Sequence, residues 1–285
     1  MRVCTFKSYS GIPKSRIVMM IKNHCSEREL ANLKKTSRLL YCPIDHIADE
    51  QHLRSIGWLL RGCDAVAVHC ERLGDMICKI NKRVFFVEHH DKFSVVPKPY
   101  KKDGYVLWVG GFQYVPFLIN HLSTLSSSLD VMVLSDMNNE NAMRAARKNA
   151  QKIGLNMVMV GDRVCGIPVT PWSESNQKTM MNECKSAMDI KLVSDFNQMT
   201  KPPTKAQKYV CSGIPTAVNR ESYSHEYFAK RGLNLPSPSE TSRWFSEQFH
   251  AETIRYSAEL RKRLSLPTVA EDYRKIMSEV LTNGI

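Results

Sequence analysis

The chain has 285 residues, 43% of them hydrophobic, and carries 40 Lys and Arg against 28 Asp and Glu, a net charge of +12 with a pI near 9.3. That length and apolar content predict a globular chain with room for one large or two ordinary domains, and the charge favours acidic partners such as nucleic acid, anionic lipid headgroups or phosphorylated substrates. The nine cysteines are odd in number and never in a C-x-x-C pair, which argues against a disulfide framework or a structural zinc site and predicts a reducing, cytoplasmic setting.

From the N-terminus, "MRVCTFKSYSG" lacks the apolar core of a signal peptide, and no apolar run approaches the ~20 residues needed to span a bilayer, so a soluble or peripheral protein is expected. Residues 1–38 hold nine basic residues and two acidic ones, the densest charge excess in the chain. Its loop "SYSGIPKSR" (8–16) offers Gly11 for close approach of a ligand, and Lys14 and Arg16 for an anionic one, beside the alternative of a merely solvated basic face. "PIDHI" follows with Asp45 and His46. A helix is expected over 49–63, then buried strands in "DAVAVHC" (64–70) and "RVFFVEHH" (83–90), the latter ending in His89, His90 and Asp91, a dense group of proton acceptors. His69, Cys70 and Cys78 with His89 and His90 come nearest to a metal cluster, but their spacing matches no common site and no metal is expected.

"VPKPYKKDG" (96–104) combines two prolines, three lysines and a glycine, and strand–helix alternation restarts after it. This predicts a domain over 1–97, a linker over 98–104 and a second domain over 105–285. The second has expected strands in "YVLWVGG" (105–111), "DVMVLSD" (130–136), "NMVMVGD" (156–162) and "MDIKLVS" (188–194), and a helix over 139–154 stopped by glycine. The alternation points to parallel α/β units, whose ligands bind beyond the carboxyl ends of strands. The helical tail 240–284 places Val269, Tyr273, Ile276, Met277 and Val280 on one packing face.

Three loops of the second half are chemically suggestive. Gly110 and Gly111 end a strand and let backbone amides approach a phosphate, although no G-x-G-x-x-G or Walker lysine follows. Trp172 in "VTPWSESNQ" ends a short strand where an indole stacks on a nucleobase or packs in a core. In "KPPTKAQKYVCSGIP" Thr204 is placed to cap a helix whose start carries Lys201 and Lys205. Cations there oppose the helix dipole by roughly 0.3–1 kcal/mol each unless an anion sits with them, which points to a bound phosphate.

The runs "CDAVAVHCERLGDMI", "VFFVEHHDKF", "YVLWVGGF" and "SAMDIKLVSDFNQMTKPPTKAQKYVCSGIPTAVN" together resemble glycosyltransferases of the GT-B fold, over about residues 40–220. The resemblance implies α/β architecture with two Rossmann-like domains facing across a cleft, the first for the acceptor and the second for a nucleoside-diphosphate-sugar donor. It implies metal-independent transfer of a hexosyl or pentosyl group to a hydroxyl, with no cofactor. Asp91, His89 and His90, then Asp45 and His46, are the candidate bases. Where many relatives have a Glu-x7-Glu pair this chain has Thr200 and Lys208, and where an Arg and a Lys follow the first strand of the second domain it has Gly111 and Phe112. Lys201 and Lys205 are therefore expected to neutralise the diphosphate, with Gly110, Gly111, Trp172, Thr204 and Lys208 completing the donor site. A basic acceptor side suits DNA bearing hydroxymethylated bases, or an envelope saccharide or lipid on an anionic membrane surface. The alternatives are a nucleotide-sugar epimerase of the same fold and a non-catalytic nucleic-acid-binding module with a degenerate donor site.

Overall fold

The computed structural model describes residues 12, 15–22 and 25–282. The chain first forms β1 (Ile17–Ile21), α1 (Glu27–Lys34), β2 (Arg38–Cys42), α2 (Glu50–Ser55), α3 (Gly57–Gly62), β3 (Ala65–Val68), α4 (Glu71–Ile77) and β4 (Val84–Phe86). Ser26 and Glu29 start α1 with a reciprocal capping box. The single helix expected over 49–63 is two, because Ile56, at φ −90° and ψ 9°, leaves the helical conformation between α2 and α3.

Next come β5 (Val106–Val109), α5 (Val115–Ser123), β6 (Val131–Ser135) and α6 (Glu140–Lys152), the last ending ahead of Gly154 at φ +68°. Then follow β7 (Met159–Val160), β8 (Arg163–Val164), β9 (Ile167–Pro171), α7 (Glu174–Glu183), β10 (Ser186–Asp189), α8 (Phe196–Met199), α9 (Thr204–Cys211) and β11 (Thr216–Val218). The chain closes with α10 (Tyr223–Ala229), α11 (Thr241–Trp244), α12 (Glu247–Arg263) and α13 (Leu266–Thr282). Among the described residues no helix is long and apolar enough to cross a membrane.

Two compact units result. The first takes the chain up to His90, Ser194–Pro202 and the chain from Leu264 onward; the second takes Asp91–Val193 and Pro203–Arg263. The division differs from the one expected from the sequence. Residues 98–104 lie within the second unit, where the Tyr100 hydroxyl donates to the Phe245 carbonyl at 2.7 Å and Lys101 Nζ donates to the carbonyls of Asn182 and Glu183. The final helix, expected to end the second domain, belongs to the first.

In the first unit β1–β4 form a parallel sheet in sequence order. Leu40, Cys42, Ala65, Ala67 and Val87 pack with Val269, Ile276 and Val280 of α13, with Tyr273 and Met277 at the edge. The helical face expected from the tail's periodicity is thus a packing face, and its partner is the sheet of this unit.

The second unit has a seven-stranded sheet in the order β11-β10-β5-β6-β9-β8-β7, parallel from β11 to β9 and antiparallel beyond. The expected buried strand over 156–162 is instead a two-residue edge strand. It turns back at Gly161, φ +58°, and leaves Val158 and Val160 exposed. The expected strand 188–194 runs earlier, as β10. Leu107, Val109, Leu134, Met181, Ala187 and Tyr209 form the core beneath α7 and α9. Gly213, at φ +68°, closes α9 with a Schellman pair: Gly213 N donates to the Val210 carbonyl and Ile214 N to the Tyr209 carbonyl.

Candidate functional site

Within the second unit, β5 and β10 are neighbours from which the chain winds outward in opposite directions, through β6 and β9 on one side and β11 on the other. The crevice beyond the carboxyl ends of such a strand pair is where open α/β sheets hold ligands. Three pieces of chain meet that edge: the Gly110–Gly111 turn after β5, the segment after β10, and the start of α9.

At the end of β10 the sequence builds a buried ionic group. Lys191 Nζ lies 3.0 Å from Asp189 Oδ1, with side-chain exposures of 5% and 2%. The Ser224 hydroxyl donates to Asp189 Oδ2 at 3.1 Å, and the Asn219 amide side chain holds both the backbone N–H and the carbonyl of Lys191. Burial works to raise the Asp189 pKa, but the charges of Lys191 and Lys205 and the bonds from Lys191 and Ser224 outweigh it and hold the carboxyl below its ordinary value. Neither Asp189 nor Lys191 stands out in the sequence. The signal available was an acid and a base two residues apart, the acid closing β10 and the base in the segment just after it.

Lys205, in the first turn of α9, is coupled to this group, with its ammonium 5.6 Å from the centre of the Trp108 ring. Lys205 thus sits at the start of α9, where the helix dipole contributes about half a positive charge. Thr204 does not cap: Pro203 occupies the cap position, and no side chain bonds the first-turn amides. The structure gives Gly110 a packing reason. A Cβ there would come within 2.1 Å of the Trp108 ring, and neither Gly110 nor Gly111 has a positive φ. Lys208 is drawn away to the Phe93 ring at 3.7 Å, where burial lowers its pKa and the charge of Asp91 works against that lowering. Trp172, at the end of β9, is 54% exposed and donates from Nε1 to Gln177 Oε1 at 3.1 Å.

The first unit has its own pocket at the carboxyl ends of β2 and β3. Asp45, His69, Asn197, Thr200 and Lys201 contribute polar groups, and Pro43, Ile44, Ile47 and Leu73 contribute apolar ones. Lys201 therefore stands in this unit with Asp45, whereas Lys205 belongs to the second. Asp45 has φ +51° and pairs at 3.8 Å with Lys22, itself at φ +65°, so two non-glycine residues at adjacent strand ends hold left-handed conformations. Such strain is stored where the surroundings fix it. Here Lys22 N donates to the Cys42 carbonyl and the Tyr41 hydroxyl to the Lys22 carbonyl.

His69, known from the sequence only as part of a failed metal cluster, lines this pocket. Its Nδ1 donates to the Val87 carbonyl at 2.6 Å, its Nε2 faces the Tyr273 hydroxyl at 3.3 Å, and its ring lies 3.9 Å from that of His89. His46 turns to the rings of Tyr41 and His52. Asp91 is grouped with the second unit, while His89 and His90 fall in the first. Arg16 stands at the amino end of β1; Gly11 and Lys14 lie outside the described residues. Among the described residues no three His, Cys, Asp or Glu side chains are arranged to hold a metal ion.

Burial lowers the pKa of His69, with the Val87 carbonyl and Asp45 opposing; it likewise lowers His121 against Glu221, and His250 against the Lys98 carbonyl and Glu247. A depressed imidazole stabilises the fold above its unfolded pKa and loses that contribution as pH falls below about 6.5. The thermal midpoint should therefore drop between about pH 7.5 and pH 5.5. A midpoint flat across that window would show that these rings protonate without cost.

Neither a family model nor a curated protein matches the chain. Solved structures do. An accessory secretory protein 1, 2 and 3 structure from Streptococcus pneumoniae aligns at 12% identity and TM-score 0.51, over 93% of this chain and 53% of that one. A glycosylation-associated Gap123 complex from Streptococcus agalactiae aligns at 10% identity and TM-score 0.52, over 96% and 55%. An alpha,alpha-trehalose 6-phosphate synthase from Burkholderia multivorans aligns at 8% identity and TM-score 0.56, over 95% and 72%. At these identities the likeness shows the fold alone, which is GT-B-like with two Rossmann-like α/β units. The chain spans about half the length of the first two of these structures.

Proposed function

We propose that the chain is a sugar transferase that takes its sugar from a nucleoside diphosphate, with the diphosphate received by the second unit and the acceptor by the first. The observation that carries this reading is the charge arrangement at the β5–β10 switch point. Lys205, whose charge also acts on the buried Asp189, stands in the first turn of α9, where no side chain caps the helix. Free helix amides and a neighbouring ammonium are a ready anion site, and an anion there relieves the conflict between Lys205 and the helix dipole. As the sugar bond breaks, negative charge grows on the leaving diphosphate, and donors fixed in advance stabilise it without reorganising. The reading asks no divalent ion of the protein. Trp172, exposed at the end of β9 on the same edge of the sheet, serves as the platform for the base.

Among the residues nominated as bases, Asp45 is the one that lines the pocket of the first unit, and we assign it to the acceptor hydroxyl. The names of two of the similar structures, a glycosylation-associated complex and a trehalose 6-phosphate synthase, belong to sugar chemistry and agree with this reading.

A charge-assisted contact to phosphate lost in Lys205→Ala should weaken nucleoside-diphosphate binding about tenfold or more. Binding should also quench tryptophan emission in the parent protein and much less in Trp172→Phe. Calorimetry that finds Lys205→Ala unchanged removes the donor site from α9.

A further inference from the structure

We propose that the solvent face of α6 binds the phosphate backbone of a nucleic acid, an inference that uses none of the residues of the donor site and does not rest on the transferase reading. The helix runs for 13 residues from Glu140 to Lys152. Ala142, Ala146 and Ala150 are its buried face, and Arg144, Arg147, Lys148 and Lys152 stand exposed around the opposite side.

Elsewhere in the chain exposed helix cations pair with an acid three or four residues back: Arg54 with Glu50, Lys178 with Glu174, Lys230 with Glu226 and Arg274 with Glu271. Among the described residues none of the four α6 cations has an ion pair or a hydrogen bond. Glu140, one turn before Arg144, is the only acid on the helix, so four cations against one acid leave +3 on this face. The spacing instead sets like charges together. Arg144 lies three and four residues before Arg147 and Lys148, and Lys148 four before Lys152, an arrangement that destabilises a helix. The helix dipole favours a cation in the last turn, which accounts for Lys152 alone. An anion laid along the face relieves the rest.

From Arg144 to Lys152 the helix rises about 12 Å. One strand of a duplex presents a phosphate every ~3.4 Å along its axis, so that length faces about four of them. The forked donors of the two arginines suit phosphate oxygens. The helix is also held as a fixed rod: Asn139 caps it by accepting from the Asn141 and Ala142 amides, and Asn149 Nδ2 donates to the Gln113 carbonyl at 2.8 Å. A membrane-surface helix sinks an apolar face into the lipid, whereas the small apolar face of α6 is already buried in the protein. Charge alone is left, and charge alone supplies essentially all of non-specific nucleic-acid binding.

Fluorescence anisotropy of the whole chain with a labelled duplex of about 20 base pairs and mixed sequence tests this. Replacing Arg144, Arg147, Lys148 and Lys152 together by Gln should reduce the magnitude of the log–log salt slope by about 3.6. The loss of affinity between about 50 and 200 mM salt should then be about 150-fold smaller than in the parent. A control variant carries Gln at Arg54, Lys230, Arg274 and Lys275, exposed cations already paired with acids. It removes the same charge and should change the slope by less than about 1. No duplex binding at about 100 μM protein, or an equal change of slope in the two variants, overturns the proposal. Vesicles of phosphatidylserine and phosphatidylcholine are the second probe: binding tighter than to the duplex, and lost in the α6 variant, would assign the face to a membrane and overturn it too. The α6 variant should melt no lower than the parent, because it removes like-charge pairs. A lower midpoint would mean that these cations serve the fold, against the proposal.

Discussion

Replacing Asp189 by alanine is expected to destabilise the second unit by about 3–5 kcal/mol, because it strands the Lys191 ammonium in a site only 5% exposed. The attraction between the two charges is not itself the measure of that loss. Taking both out of water costs several kcal/mol per ion, and the pair persists because Ser224 and Asn219 satisfy its remaining groups. The double variant Asp189→Leu/Lys191→Met should accordingly recover most of the stability, and because it removes one charge of each sign it leaves the net charge beside the start of α9 unchanged. Acid should mimic the single variant. The Asp189 pKa is depressed, so its contribution is complete above the ordinary value near 3.8 and is lost as pH falls through the lower folded value. Denaturant titrations of the three proteins decide the matter: a single variant costing under about 1 kcal/mol would mean a solvated pair.

The second large effect is expected at Gly213→Ala. A side chain at φ +68° costs about 1–2 kcal/mol in backbone energy. The new Cβ would also lie 2.5 Å from Ile254 Cδ1 and 2.9 Å from Pro97 Cβ. The Ile254 terminus can rotate aside, but the proline ring cannot, so an overpacking cost of about 1–3 kcal/mol is added. Thermal unfolding should shift accordingly, and Gly154→Ala provides the control, because its φ is also +68° but nothing lies within 4 Å of its added carbon. Equal losses at the two positions would mean that crowding at Gly213 is relieved at no cost.

The sequence made the α/β class and several strands legible, because "DAVAV" and "YVLWV" are apolar runs too short for helices, bounded by turn residues. It misled over 156–162, where an equally apolar run belongs to an edge hairpin and turns its valines outward. Apolar content reports strand tendency and says nothing of which sheet position supplies the cover. The strands at 17–21 and 38–42 were hidden inside a segment whose lysines and arginines drew the eye to charge. At the candidate site, Lys205 was legible because it violates the dipole preference of its helix, a conflict visible in one dimension. The Asp189–Lys191 pair was not, since burial makes it significant and burial is a property of the folded sheet. Gly110 shows the opposite failure: a residue type suited to phosphate approach has a sufficient cause in the indole two positions earlier.

The Tyr273–His69 contact joins residues 204 positions apart, because α13 returns to cover a sheet whose strands were all made near the start of the chain. At a synthesis rate of roughly 5–20 residues per second, that sheet waits about 10–40 s on the ribosome without its covering helix. Leu40, Cys42 and Ala65 are among the residues left open during this interval, so the first unit is completed only after the intervening strands and helices of the second have been made. Completion of the first unit is then timed by the synthesis of α13, and until that helix emerges the sheet exposes an apolar face of the kind that chaperones bind.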